Sequence, residues 1–136
     1  MEDVSGIDEA GLSRLVGAFY NRVRTDPELG PIFNEAINDW PHHLEKLTDF
    51  WSSVMLGTGR YKGRPVPAHL KHKDAITLKM FERWLALWRQ TTNELLPAGA
   101  AAALQFRAAR IAESLQLAMF FQLPTEQGAN RSTGRG

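Results

Sequence analysis

The sequence contains no cysteine among its 136 residues. Disulfides, thiolate metal sites and cysteine nucleophiles are therefore excluded, and a reducing compartment is favoured. An excess of charge is missing too, because 16 Lys and Arg oppose 15 Asp and Glu, for a net charge of +1. Such a chain has no strong basic field with which to bind nucleic acid or an anionic membrane.

Leader segments and long apolar runs are also lacking. The N-terminus MEDVSGIDEA is acidic and polar, unlike a secretory signal, and no apolar run reaches the length of a membrane span. Glycine-rich phosphate loops and nucleophile elbows are absent as well. We therefore expect a cytoplasmic protein that binds neither membrane nor nucleic acid.

Bulky apolar residues are what the chain does have. Hydrophobic residues make up 43% of it and include four Trp and seven Phe, enough for the core of one domain. We expect a single domain over residues 1–124. The end of the chain, EQGANRSTGRG, has few apolar residues, so residues 125–136 are predicted to be a disordered tail.

Apolar residues recur at helical spacing along most of the domain, without an alternating strand pattern. The sequence therefore predicts an all-α fold. The first helix should end before Pro27, because proline stops the pattern. Asp26 is expected to cap a short second helix, Pro27–Phe33, with proline at its first position.

Two further N-caps divide the rest of the chain. Asp39 precedes a third helix, which ends at the glycine-rich loop LGTGRYKGRP. Thr77 is predicted to cap a fourth helix, and a last helix should run from Ala98 to about Phe121.

Histidines are the main candidates for chemistry, and the segment VPAHLKH holds two of the four. Pro65 and Pro67 stiffen the backbone before His69, and His72 follows one helical turn later. A single imidazole presented to a large apolar cavity is what a haem iron needs, although a surface loop histidine is the commoner origin of such a pattern.

Three polar side chains fall on the inward faces of three different predicted helices: Tyr20, His43 and Trp84. Each alone is compatible with an ordinary core residue whose polar atom bonds to a backbone carbonyl. Together they indicate convergent polar groups in an apolar pocket, which is typical of a ligand site.

Several stretches resemble group III of the bacterial truncated haemoglobins. They are FYNRVRTDPELGPIFN (19–34), DWPHHLEKLTDFWSSVMLGTGRYKGRP (39–65), AHL (68–70), FERWLALW (81–88) and RAARIAESL (107–115). The chain has no Gly-Gly pair, which groups I and II usually carry at two corners. The resemblance implies a 2-on-2 sandwich of helix pairs around one haem b, and a site that binds oxygen or another diatomic gas.

The resemblance also implies residue roles. His69 corresponds to the proximal iron ligand, and Tyr20, His43 and Trp84 correspond to the distal residues. Positions that match the apolar contacts of the haem are Phe33, Leu47, Phe50, Leu70 and Phe81. The segment HLKHKDAITL departs from the usual His-Leu-x-Leu-Pro, which leaves His72 as an alternative ligand.

Basic residues of the loop before the proximal segment are candidates to pair with the haem propionates: Arg60, Lys62 and Arg64. Solvated loop charges are the commoner explanation of such residues.

Three function classes remain open at this stage. The first is a protein that binds oxygen, nitric oxide or carbon monoxide, expected to be a monomer or a weak dimer. The second is a haem enzyme that reduces peroxide or removes nitric oxide in the same pocket, with an unidentified reductase as partner. The third is a helical protein without haem, in which His43, His69 and His72 hold zinc.

Overall fold

The computed structural model describes residues 6–65, 69, 72 and 74–120. Across these residues it is helical and contains no strand, which confirms the predicted all-α class. The helices are α1 (Glu9–Thr25), α2 (Gly30–Ala36), α3 (Trp40–Leu56), α4 (Leu78–Leu95) and α5 (Ala98–Phe120). The predicted tail, residues 125–136, lies outside the described residues.

Side-chain caps determine where three of these helices begin. The Asp39 carboxylate accepts from the backbone N–H of His42 at 3.1 Å, and the Thr77 hydroxyl accepts from that of Met80 at 3.2 Å. Asp8 caps α1 in the same way. Both caps predicted from sequence, Asp39 and Thr77, are therefore confirmed.

The predicted bounds of the second helix, Pro27–Phe33, are wrong. The Asp26 carboxylate accepts from the backbone N–H groups of Glu28 and Leu29, each at 3.0 Å, and so holds residues 27–29 in a turn. The helix starts only at Gly30 and uses Pro31 near its first position. Asp26 was correctly recognised as a cap, but it caps a turn before the helix rather than the helix itself.

Aromatic rings from α1, α3 and α4 form the centre of the core. Trp88 stacks on Trp51 with ring centroids 4.7 Å apart, and Phe19 meets the Trp88 ring edge-on at 4.9 Å. All three side chains are at most 2% exposed. Burying each of them contributes roughly 1.5–3 kcal/mol or more, so this cluster fixes how α1 packs against α3 and α4.

A second group of buried side chains borders a cavity, since Phe81, Ala112 and Leu115 line it. With Met119, these residues form a smaller cluster that joins α4 to α5. Among the described helices, none is both long enough and apolar enough to cross a membrane.

Candidate functional site

A mostly apolar cavity of about 490 Å³ lies among all the described helices and the segment between α3 and α4. Its volume is within the range of about 300–1,000 Å³ that is usual for small-molecule and cofactor sites. Most residues predicted for the site line it, namely Tyr20, Phe33, His43, Leu47, Phe50, His69, His72, Phe81 and Trp84. Leu70 lies outside the described residues.

Tyr20 is delivered to the cavity by the buried face of α1. Its side chain is only 4% exposed and contacts the rings of Phe19 and Phe33. Burial raises the pKa of the phenol to about 12, although hydrogen bonding from the Trp84 indole N–H lowers it in part. Within the described part of the chain, no residue accepts a hydrogen bond from the Tyr20 hydroxyl, so this buried donor is free to face a ligand.

Trp84 reaches the cavity from α4. Its ring stacks on Trp88 at 5.7 Å with an interplanar angle of 5°, and Phe19 meets it edge-on at 5.3 Å. The indole N–H is a donor only, and its contact with the Tyr20 oxygen falls short of a hydrogen bond of full geometry. Tyr20 and Trp84 therefore place two donors side by side in one apolar cavity.

His43 projects from α3 and is half-buried, edge-on to the ring of Trp40 at 5.9 Å. Burial lowers its pKa first, and the nearby charges of Lys46, His42 and His69 lower it further. The imidazole is therefore neutral at neutral pH, with one N–H to donate and one nitrogen to accept a proton.

His69 has an orientation suited to a metal ligand. Its Nδ1 lies 2.7 Å from the carbonyl oxygen of Pro65, and both residues have helical backbone. A carbonyl can only accept, so Nδ1 must carry the proton and donate, which leaves the lone pair on Nε2 for a metal. This is the backbone partner that a proximal histidine requires.

His72 also lines the cavity, but its side chain is exposed. Its backbone N–H donates to the His69 carbonyl at 3.0 Å. Among the described residues, which include His43, His69 and His72, no group of three His, Cys, Asp or Glu side chains could hold a metal ion. The zinc site proposed from these histidines is therefore not formed.

Comparison with known proteins decides the family. A family model described as bacterial-like globin matches residues 2–120. The chain belongs to the bacterial-like globins. The group 3 truncated hemoglobin ctb of Campylobacter jejuni is 37% identical over 91 residues, which cover 64% of this chain and 71% of that protein. The crystal structure of the group III truncated hemoglobin from Campylobacter jejuni matches with a TM-score of 0.77 and 33% identity, covering 88% of this chain and 96% of that one.

These relatives confirm the predicted truncated globin fold and its group III character, and the globin family supports haem binding. The residues present fit a haem on three counts. The cavity is large and apolar, His69 has Nε2 available, and the buried Tyr20 hydroxyl has no described acceptor. A flat, largely apolar cofactor whose metal binds an imidazole nitrogen and also a second, exogenous ligand would satisfy all three.

The basic residues of the loop before His69 do not line the cavity of this globin. Arg60 pairs with Glu9 in an exposed ion pair at 3.0 Å, whereas Lys62 and Arg64 are exposed and are not among the residues that line the cavity. Their pairing with haem propionates stays a prediction.

Lys46 is a cavity residue that was not predicted. It follows His42 by four positions and His43 by three, so helical spacing on α3 could have identified it. Tyr61 was missed as well, since it lies in the glycine-rich loop, where no periodicity reports on burial; it packs edge-on against Phe50 at 5.2 Å.

Proposed function

We propose that this globin holds haem b through His69 and reversibly binds oxygen or another diatomic gas on the distal side of the haem. The haem supplies a ferrous iron to which such a gas can bind. The observation that carries the proposal is the buried Tyr20 hydroxyl, which faces an apolar cavity and has no acceptor among the described residues. A donor left unpaired in a core costs free energy, so a gas ligand is the natural acceptor.

His69 is the stronger candidate for the proximal ligand. Its hydrogen bond to Pro65 fixes both the ring orientation and the tautomer, whereas His72 is exposed on the surface. The absence of cysteine supports haem b, because the thioether links of a c-type haem need cysteine.

The rim of the cavity supplies hydrogen-bond donors for the carboxylates of the cofactor. Lys46 and His42 both line it, and both side chains are exposed to solvent. Apolar contacts with the ring would come from Phe33, Leu47, Phe50 and Phe81. Covering an apolar disc with these side chains contributes about 25 cal/mol per Å², so the protein should lose much stability without its haem.

On the distal side, Tyr20 and Trp84 act as hydrogen-bond donors to the gas. The high pKa of Tyr20 keeps its phenol protonated at every physiological pH. A hydrogen bond from either donor to a partly charged gas ligand would contribute roughly 1.5–3 kcal/mol, or about 10- to 100-fold in ligand retention. Oxygen release should therefore be slow.

The distal half of the proposal is tested with Tyr20→Phe, measuring the dissociation rate of oxygen by stopped flow. We expect a rate about 10- to 100-fold faster than wild type. Tyr61→Phe is the matched control, because it is the other of the chain's two tyrosines and also lines the cavity. An unchanged rate in Tyr20→Phe would remove this phenol from the function.

The proximal half is tested by absorbance spectra of His69→Gly and His72→Gly. Loss of the His69 imidazole should lower haem occupancy and change the axial coordination, and added imidazole should restore the wild-type spectrum. The His72 variant should keep the wild-type spectrum. The reverse pattern would transfer the role of ligand to His72.

A second function is favoured by the lowered pKa of His43. A neutral imidazole beside the distal donors can accept a proton from hydrogen peroxide, as peroxide reduction would require, and nitric oxide removal would use the same pocket. Steady-state turnover of hydrogen peroxide or nitric oxide, compared between wild type and His43→Leu, separates this enzyme from a gas-binding protein. Such turnover would also need a reductase as electron source.

A further inference from the structure

Asp26 occupies the corner between α1 and α2 with every acceptor position in use. One carboxylate oxygen accepts from the backbone N–H groups of Glu28 and Leu29, each at 3.0 Å. The other accepts from Arg83, with Nε at 2.8 Å and a terminal guanidinium nitrogen at 2.6 Å. The side chain of Asp26 is only 2% exposed, so the corner is built around this carboxylate.

The charge of Asp26 is retained inside the corner. Burial acts to raise its pKa, but the hydrogen bonds from Arg83, Leu29 and Glu28 outweigh burial and hold the pKa below its usual value. Removing Arg83 would leave a buried carboxylate without its cationic partner.

The corner itself is tightly packed and leads directly to the cavity. A Cβ on Gly30 would approach the Arg24 carbonyl oxygen to 2.6 Å, so the two backbone segments pass too closely for a side chain at this position. Leu29 is 1% exposed and lines the cavity. Asp26 is therefore a fixed point close to the distal pocket.

Arg83 links Asp26 to α4, and the next residue on that helix is Trp84. Adjacent helical residues keep a constant angle about the helix axis, so fixing Arg83 fixes the direction in which Trp84 points. A rotation of α4 by about 20° would move a side-chain tip by roughly 2 Å, enough to break a hydrogen bond.

We propose that Asp26 and Arg83 are a positioning pair, which orients the Trp84 indole toward the Tyr20 phenol and so sets the donor strength of the distal pocket. Neither residue lines the cavity, and each acts through Trp84. This inference rests on the proposed function, because it assigns a cause to the geometry of the same distal donors.

A second ion pair between α1 and α4 provides the matched control. Arg22 binds Glu94, and its guanidinium also donates to the Thr91 hydroxyl at 2.9 Å. Glu94 lies ten residues beyond Trp84 in the sequence, or about 15 Å along the helix. The Arg22–Glu94 pair therefore links the same helices about three turns away from Trp84, so its loss should disturb the Trp84 ring less than the loss of the adjacent Arg83 contact.

The experiment compares Arg83→Met, Arg83→Lys and Glu94→Gln with wild type by two measurements. Fluorotryptophan labelling and 19F NMR report on the Trp84 environment in the haem-free protein, with the resonance assigned from Trp84→Phe. Stopped flow then gives the oxygen dissociation rate of the haem-loaded protein. Because the Arg83 side chain is 44% exposed, its replacement should leave the protein folded. A thermal melt of each variant checks this.

We expect Arg83→Met to shift or broaden the Trp84 resonance and to accelerate oxygen dissociation at least five-fold. Arg83→Lys, which keeps the charge but not the two-pronged contact, should fall between Arg83→Met and wild type. Glu94→Gln should change the rate less than two-fold and leave the resonance in place.

An unchanged Trp84 resonance in Arg83→Met would overturn the positioning role, as would an equal response in Glu94→Gln. Tyr20→Phe, measured in parallel, separates the two proposals. If Tyr20→Phe accelerates oxygen release and Arg83→Met does not, the positioning pair fails while the proposed function stands. If Tyr20→Phe has no effect, the proposed function fails, and the NMR result alone decides whether the pair orients Trp84.

Discussion

Trp84 and Trp88 lie one turn apart on α4 with parallel rings, yet their indole N–H groups meet different surroundings. Trp88 is 1% exposed and donates to the Leu104 carbonyl oxygen at 3.1 Å. Trp84 is half-buried, and its N–H has only a loose contact with the Tyr20 phenol at the cavity. Packing accounts for the first indole, whereas the second is available for the gas ligand of the proposed function.

The same contrast holds for the hydroxyl groups. The buried hydroxyls of Thr91 and Thr92 donate to backbone carbonyls one turn earlier on α4, at 2.7 and 2.9 Å. Buried Ser52 shares a 2.7 Å hydrogen bond with Thr58. Tyr20 is nearly as buried but has no described acceptor. These core hydroxyls are satisfied internally, whereas the Tyr20 hydroxyl is the one that the proposed function assigns to a gas ligand.

Trp88→Phe should cause the largest loss in the free energy of unfolding among these variants. The variant leaves a void in the aromatic cluster and removes the donor to Leu104. The two losses together should cost about 2–4 kcal/mol in the free energy of unfolding. Urea denaturation of the haem-free protein measures this cost.

Trp84→Phe is the comparison for that measurement. Because its indole is half-buried and loosely bonded, the same change should cost no more than about 1 kcal/mol of unfolding free energy. Its effect should appear instead as faster oxygen release from the haem-loaded protein. Equal destabilisation by the two variants would show that both indoles are ordinary core groups.

The stability of the protein at alkaline pH tests whether the Tyr20 phenol is buried. The Tyr20 phenol has a pKa near 10 in the unfolded chain and about 12 in the folded protein. As the pH rises, the unfolded chain therefore releases this proton first. Tyr20 therefore contributes its full stability below pH 10 and loses it between pH 10 and 12. From pH 9 to 11 the loss from this group is about 1.3 kcal/mol, which wild type should show and Tyr20→Phe should not.

Tyr61→Phe controls for general alkaline effects. Burial raises the pKa of Tyr61 too, but this ring is more exposed, so its variant should remain closer to wild type. Urea denaturation at pH 9 and pH 11 gives both values. If Tyr20→Phe and wild type lose equal stability between pH 9 and pH 11, the Tyr20 phenol is not buried in the folded protein.

Local signals predicted much of the fold. The caps at Asp39 and Thr77 each depend on a side chain and a backbone N–H three residues away, so they can be predicted from a short stretch of sequence. The start of α2 could not be read in this way. Asp26 bonds to the turn and also to Arg83, a residue 57 positions away, and this tertiary contact has no local signal.

The roles of the site residues were harder to predict from the sequence than the helices were. Periodicity places Trp84 and Trp88 on the same face of α4, so it cannot tell which indole faces a carbonyl and which faces a cavity. Trp84 was first selected as a polar tip on an inward helix face, and the family resemblance then gave it a distal role. The contacts of the two rings supply the physical reason for the choice. Lys62 and Arg64 were chosen for charge alone, whereas Lys46 lines the cavity.

The smallest effect is expected from His43, compared with its neighbour His42. Both line the cavity, but His43 is half-buried with a lowered pKa, whereas His42 is exposed. A neutral imidazole donor contributes about 0.5–1.5 kcal/mol, so His43→Leu should accelerate oxygen release about 2- to 10-fold at pH 7. His42→Leu should alter the rate less than two-fold, because water already satisfies its ring. Similar rates in both variants would mean that the gas meets only Tyr20 and Trp84, and that His43 belongs with the groups whose partners are internal.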